Sequence, residues 1–210
     1  MKTYLFLLFT FLFSITNAQD LEAKKEKMYS LSENEKASSL YKKGKDYMEK
    51  ENYNKAIGYF KKALKADPNF ILALDDIAAC YRRKEDFATA LQYYDKSLAL
   101  FPEGDFSLTN IAVIYSLIGK YDKSIFYYAK MMQYYPESAE GYFGMARIYV
   151  MKDEPEKALR YIFQAHRIYL RESSDYTKDA EAIEKIILQM LQKVNKENFY
   201  HKLAKEYGFE

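Results

Sequence analysis

Tyr47, Tyr81, Tyr115 and Tyr149 stand 34 residues apart, and other columns of the sequence keep the same step. Three places before each tyrosine is a small residue: Gly44, Ala78, Ala112 and Ala146. Nine places after it come Ala56, Ala90, Ser124 and Ala158, and four further on Phe60, Tyr94, Tyr128 and Ile162. The first three units close with Pro68, Pro102 and Pro136. A unit this short cannot bury its apolar face alone, so a chain built this way must stack each unit on the next. Inside a unit the apolar positions recur at three and four residues, as in Leu108, Ile111, Ala112 and Tyr115, the stripe of an amphipathic helix. Each unit holds two such helices. Small residues on both helices let the backbones approach, while the large ring of the last column fills the gap between ridges. The prolines stop the preceding helices, and Asn69, Asp105 and Ser138 follow them as N-caps. Asp153-Glu154-Pro155 opens the second helix of the fourth unit with an acidic cap and an early proline.

The columns spell out a known pattern. Unit one reads "LYKKGKDY", "AIGYF" and "DP"; unit two "LDDIAACY", "ALQYY" and "FP"; unit three "LTNIAVIY", "SIFYY" and "YP"; unit four "YFGMARIY" and "ALRYI". The sequence resembles the tetratricopeptide repeat family, whose 34-residue helix-turn-helix unit carries W-x2-L-G-x2-Y, then A-x3-F, then P. The resemblance implies an all-α fold: a right-handed superhelical solenoid of four repeats at 37–70, 71–104, 105–138 and 139–172, ended by a C-terminal capping helix. Leu or Tyr replaces the tryptophan throughout, Lys43 stands where unit one wants an aliphatic, and Leu170 stands where unit four wants proline.

Both ends depart from the repeat. Residues 1–18, "MKTYLFLLFTFLFSITNA", place a lysine before an apolar run from Tyr4 to Phe13 and a small Ala18 after it, the form of a secretory signal peptide cleaved before Gln19. The run is well below the roughly 20 residues a spanning helix needs, so no integral membrane segment is expected after cleavage. The protein is then exported, either periplasmic or secreted. Residues 19–36 form a charged N-terminal segment, expected to stay mobile up to Ser32, with Ser32 and Glu35 as a capping box for the first helix. After the fourth unit a fifth begins with Ala180 and Ile183 and fails at Gln192 and Lys196. Residues 173–210 are therefore expected to cap the array: one long amphipathic helix from Tyr176 to Val194, then a shorter one around Phe199, Leu203 and Tyr207.

The chain carries 22 Tyr and 14 Phe, and periodic spacing assigns most of these rings to the core, Tyr115 and Tyr149 included. Lys and Arg number 32 against 30 acidic residues, so no bulk field draws the protein to nucleic acid. Cys80 is the only cysteine; it reads as a small buried helix residue, with an intermolecular disulfide as the alternative. His166 and His201 read as surface residues without a second His or Cys in helical reach, so no metal is expected. Asp75-Asp76 and Glu154-Glu156 read as solvated helix ends and loops. With seven glycines and no phosphate loop or nucleophile elbow, the chain is expected to bind no cofactor and to catalyse nothing.

What remains is the concave groove formed by stacked first helices. By the resemblance, its places hold Tyr41, Lys45 and Met48; Leu72, Asp75, Ala79 and Arg82; Phe106, Thr109, Val113 and Ser116; and Glu140, Phe143, Arg147 and Val150. Phe106 and Phe143 are the apolar anchors for a partner peptide or helix. The basic clamp that chaperone-binding members use for a C-terminal carboxylate is not inherited, since Tyr41, Asp75, Glu140 and Gly144 fill those places. The expected role is a protein-protein adaptor or scaffold of the cell envelope, its partner unidentified. A self-associating homo-oligomer of an envelope assembly is the alternative, and an unrecognised hydrolase a remote one.

Overall fold

Each 34-residue period becomes two helices joined by a tight turn. The computed structural model describes residues 19–209, and among these it holds eleven helices and no strand. Residues 19–28 form α1. The paired helices are α2 (Glu35–Glu49) with α3 (Tyr53–Ala66), α4 (Ile71–Arg83) with α5 (Phe87–Leu100), α6 (Asp105–Leu117) with α7 (Tyr121–Tyr134), and α8 (Ala139–Met151) with α9 (Pro155–Arg171). Two more close the chain, α10 (Thr177–Lys193) and α11 (Glu197–Tyr207). The chain divides into two compact units, one ending at Gly104 and one beginning at Asp105. The expected signal segment, residues 1–18, lies outside the described residues.

The turn inside each pair repeats to the atom. The residues at 51, 85, 119 and 153 all have positive φ, and only the third is glycine; Glu51, Glu85 and Asp153 hold the same left-handed conformation with a side chain. The next amide then donates back to the tyrosine column: Asn52 to the Tyr47 carbonyl, Asp86 to Tyr81, Lys120 to Tyr115 and Glu154 to Tyr149, at 2.8–2.9 Å. This is the six-to-one bond that ends a helix with a left-handed residue. The tyrosine carbonyl thus fixes where the second helix starts.

N-caps depart from the sequence reading. Asn34, Asn52 and Asp86 cap α2, α3 and α5, each side chain accepting the backbone N–H three residues on. Asn52 and Asp86 are second-helix caps that the proline-centred reading passed over. Asn69 caps nothing: α4 begins a residue later with Phe70 at the cap, and the Asn69 amide donates to Asp67 Oδ1 at 3.1 Å. Asp105 lies inside α6, and Ser138 sits at the cap of α8 but turns its hydroxyl to Glu140. Ser32 is likewise no cap; its hydroxyl donates to Asp67 Oδ2 at 2.5 Å.

In the first unit the buried column residues Ala56 and Phe60 pack with Ala37, Tyr41, Ala63, Phe70 and Ile77. The close approach of α2 and α3 depends on Gly44, where a Cβ would strike the Phe60 ring. The expectation of a mobile segment up to Ser32 is corrected. Leu21, Lys25 and Met28 form a half-buried stripe on α1, the Tyr29 ring meets Phe101 edge-on at 5.8 Å, and Lys24 pairs with Glu103 at 2.8 Å.

In the second unit Gly144 on α8 has the Tyr128 ring of α7 where a Cβ would be, a close approach between successive repeats and not within one. The unit's end is closed by α10 and α11 packing on α9. Phe163, fully buried on α9, is surrounded by Tyr200, Tyr207 and Phe209 at 5.0–5.7 Å. His166 is buried beside it, not on the surface, with Nδ1 2.5 Å from Glu184 Oε1 and the Phe209 ring stacked on it at 4.7 Å. A histidine one turn from a core phenylalanine on a strongly amphipathic helix lies on the buried face, which helical spacing alone makes visible.

Candidate functional site

The first helices of the two units have different outer faces. In the first unit, the expected groove residues are drawn inward. Tyr41 is buried and its hydroxyl donates to Asp76 Oδ2 at 2.8 Å, while Lys45 Nζ lies 3.4 Å from the same oxygen. Asp75 and Asp76 are both buried, which corrects their reading as solvated helix ends. Burial holds the Asp76 carboxyl above the usual carboxylate range, with Lys45 and the Tyr41 bond pulling the other way. Burial and the nearby Asp76 push the Tyr41 phenol far above its ordinary value. Ala79 is buried, and Leu72, Arg82 and Met48 are half-buried. Four of the expected contact residues, Tyr41, Lys45, Asp75 and Arg82, therefore sit in or beside an internal polar cluster, and Tyr41 and Asp75 have no outward surface to offer a partner.

The second unit presents the rest. On α6, Phe106 is 42% exposed, Val113 and Ser116 are half-buried, and the half-buried Thr109 hydroxyl points to Met131 Sδ at 3.7 Å. On α8, Arg147 and Glu140 are exposed, Val150 is half-buried, and half-buried Phe143 rests edge-on against Tyr169 at 6.2 Å. Helices α6 and α8 are in contact. The face thus joins apolar rings to one guanidinium and one carboxylate, a set able to seat an apolar side chain and pair with a charge beside it.

The tyrosine column itself is not the core column the spacing suggests. Tyr47, Tyr81, Tyr115 and Tyr149 are half-buried. Each ring stacks on the tyrosine twelve residues later: Tyr47 on Tyr59, Tyr81 on Tyr93, Tyr115 on Tyr127 and Tyr149 on Tyr161, with centroids 5.3–5.9 Å apart. The second set also repeats every 34 residues, so a fifth column was there to be read.

No reactive group is assembled by these faces. Among the described residues no three His, Cys, Asp or Glu side chains converge as metal ligands. The Cys80 thiol is fully buried and pushed up to about 12, first by burial and then by Asp76. No helix of the described residues is long and apolar enough to cross a membrane.

Comparison with known proteins agrees with the helix pairing. Two family models, both described as tetratricopeptide repeat, match residues 37–70 and 70–137. Between them the two matches span residues 37–137. The crystal structure of MamA superposes with a TM-score of 0.61 at 22% identity, covering 67% of this chain and 81% of that one. A tetratricopeptide repeat protein from Parabacteroides merdae gives a TM-score of 0.64 at 19% identity, covering 81% of this chain and 66% of that one. The first TPR of Spaghetti, solved bound to an HSP90 peptide, gives 0.53 at 22% identity over 57% of this chain and 94% of that one. At these identities the likeness is one of fold: all-α, stacked helix-turn-helix repeats of solenoid type. No curated protein matches the chain in sequence.

Proposed function

We propose that this chain is a protein-protein interaction adaptor or scaffold of the cell envelope, which holds a partner peptide or amphipathic helix against the first-helix face of α6 and α8. The observation that carries the reading is the exposure of Phe106 on α6 and Arg147 on α8, with Phe143 half-buried on the same helix as Arg147. A large ring left 42% exposed on a first helix, with a guanidinium exposed on the first helix in contact with it, is the kind of anchor that a partner side chain covers. A tetratricopeptide neighbour solved with a bound peptide supports peptide docking as a use of this fold. The partner is not a C-terminal carboxylate held in a basic clamp, because Tyr41 and Asp75 are interior and Glu140 is acidic. The reading assigns no catalysis and no cofactor. Export, to a periplasm or beyond, belongs to the same proposal and is supported by Lys2, the apolar run and Ala18 of the first eighteen residues. Self-association through Cys80 is disfavoured by burial of its thiol.

The test is capture of partners from the native envelope fraction by the wild-type chain and by a Phe106→Glu, Arg147→Glu variant of unchanged helicity and melting temperature. The proposal expects a defined partner held by the wild type and lost by the variant. The same partner retained by both overturns it.

A further inference from the structure

The stacked tyrosine pairs carry lysines, and the first unit carries them without counter-charge. Lys55 lies 5.2 Å over the Tyr47 ring, Lys62 5.1 Å over Tyr59 and Lys96 4.9 Å over Tyr93. Lys61 reaches from α3 to the next repeat, 5.6 Å over Tyr81 and 6.0 Å over Tyr93, and donates to the Tyr81 hydroxyl at 3.2 Å. Lys84 lies 5.9 Å from the centroid of the same Tyr81 ring and donates to Asn54 at 2.6 Å. The face therefore runs unbroken over both repeats of the first unit.

Its charge is one-sided. Helix α3 has Lys55, Lys61, Lys62 and Lys65 and no acidic residue, and α5 sets only Asp95 beside Lys96. Among the described residues none of the five ring-bound lysines forms an ion pair, and all five are exposed. The second unit has the same ring pairs with the charge met in part: Lys157 over Tyr149 is paired with Glu154 at 2.5 Å, while Lys123, 5.1 Å over Tyr115, is in no ion pair among the described residues. Ammonium groups held over rings have lost much of their rotational freedom already, so pairing them with an anion costs less entropy than pairing free surface lysines.

We propose that this tyrosine-lysine face of α3 and α5 is a second binding surface, distinct from the α6 and α8 face, and that it takes an acidic polypeptide segment. The rings decide the class of ligand. Each tyrosine has one face against its partner ring and a lysine over it, so no open ring is left on which a nucleobase would stack. None of the exposed large hydrophobic side chains lies on α3 or α5, so no apolar wedge is offered to a lipid surface. What the face exposes is a row of ammonium groups, which matches a run of carboxylates.

The experiment uses the purified chain and a labelled, glutamate-rich peptide, read by fluorescence anisotropy at low and raised salt. Saturable binding is expected, weakened by salt. Neutralising the face with Lys61→Gln, Lys62→Gln and Lys96→Gln weakens it about tenfold, the size that three exposed charge pairs supply together. The matching Lys→Arg variant restores it, and Phe106→Glu, Arg147→Glu leaves it unchanged, so that failure here and failure of the α6 and α8 reading are told apart. The proposal is overturned if the peptide does not saturate or if the glutamine variant binds it as well as the parent. It is also overturned if an oligothymidylate or phosphatidylglycerol vesicles bind as tightly as the peptide and through the same lysines.

Discussion

At the scale of single residues, side chains in one sequence column share an environment, but the column does not say which one. Phe60 and Tyr94 are fully buried, whereas Tyr115, from an equally regular column, is half-buried and stacked on Tyr127. Phe60→Ala is expected to cost about 3–5 kcal/mol, the range for a buried large aromatic. Tyr115→Ala, which the spacing alone would place in that range, is expected to cost about half as much because part of its ring is already in water. Urea titration of the two variants side by side checks the order. Asp76 gives a pH prediction. Its folded-state pKa is raised by burial, so the folded protein binds its proton more tightly than the unfolded chain does. That contribution is complete below the ordinary carboxylate value and is lost as pH rises through the raised one. Asp76→Asn should therefore gain in melting temperature relative to the parent as pH goes from about 4 to 7. A difference that is flat with pH, or that moves against the variant, contradicts the assignment.

At the scale of helices, type was legible and orientation only partly so. Three- and four-residue apolar spacing reports a buried stripe wherever the stripe is wide, which is why the repeated pairs could be read from sequence. The stripe does not report what happens at helix ends. There the outcome depends on left-handed turn residues such as Glu51 and Glu85, whose conformation is set by the tyrosine carbonyl bond and not by residue type. Hence residue type points to Asn69 as a cap and is silent on Asn52 and Asp86. The acidic pair Asp75-Asp76 was misplaced for a related reason: charge suggests water, but a lysine and a tyrosine two helices' width of sequence earlier satisfy Asp76 in the interior. The last helix makes a direct prediction. Cutting the chain after Val194 removes the rings of Tyr200, Tyr207 and Phe209 from Phe163 and bares Leu203's seat on the core. The shortened chain is expected to melt lower and to bind a dye for exposed apolar surface. Unchanged melting with no dye binding would mean that α11 is a separable tail.

At the scale of the whole molecule, two kinds of face follow from one repeat. The 34-residue step places a tyrosine pair at the same site in every unit, and what varies is the charge set around it. The first unit keeps an uncompensated lysine row, while the second keeps exposed Phe106 and Arg147 on its first helices. The groove positions carried over from the resemblance split along the same division. Tyr41, Lys45, Asp75 and Arg82 of the first unit sit in or beside a polar cluster, whereas Phe106, Glu140 and Arg147 of the second are exposed, because a repeat position fixes where a backbone lies and not whether a neighbour's side chain covers it. The export half of the proposal has its own check: N-terminal sequencing of the protein from its native source should begin at Gln19, and a chain beginning at Met1 contradicts cleavage.

The central claim is that partners meet the α6 and α8 face, and site-specific photo-cross-linking tests it most directly. A photoreactive residue is placed at position 147 in one chain and at Gln133, exposed on α7, in another, and both are irradiated in living cells. The account predicts a discrete cross-linked partner from position 147 that is absent from position 133. Cross-links from 133 alone, or the same product from both, would contradict it.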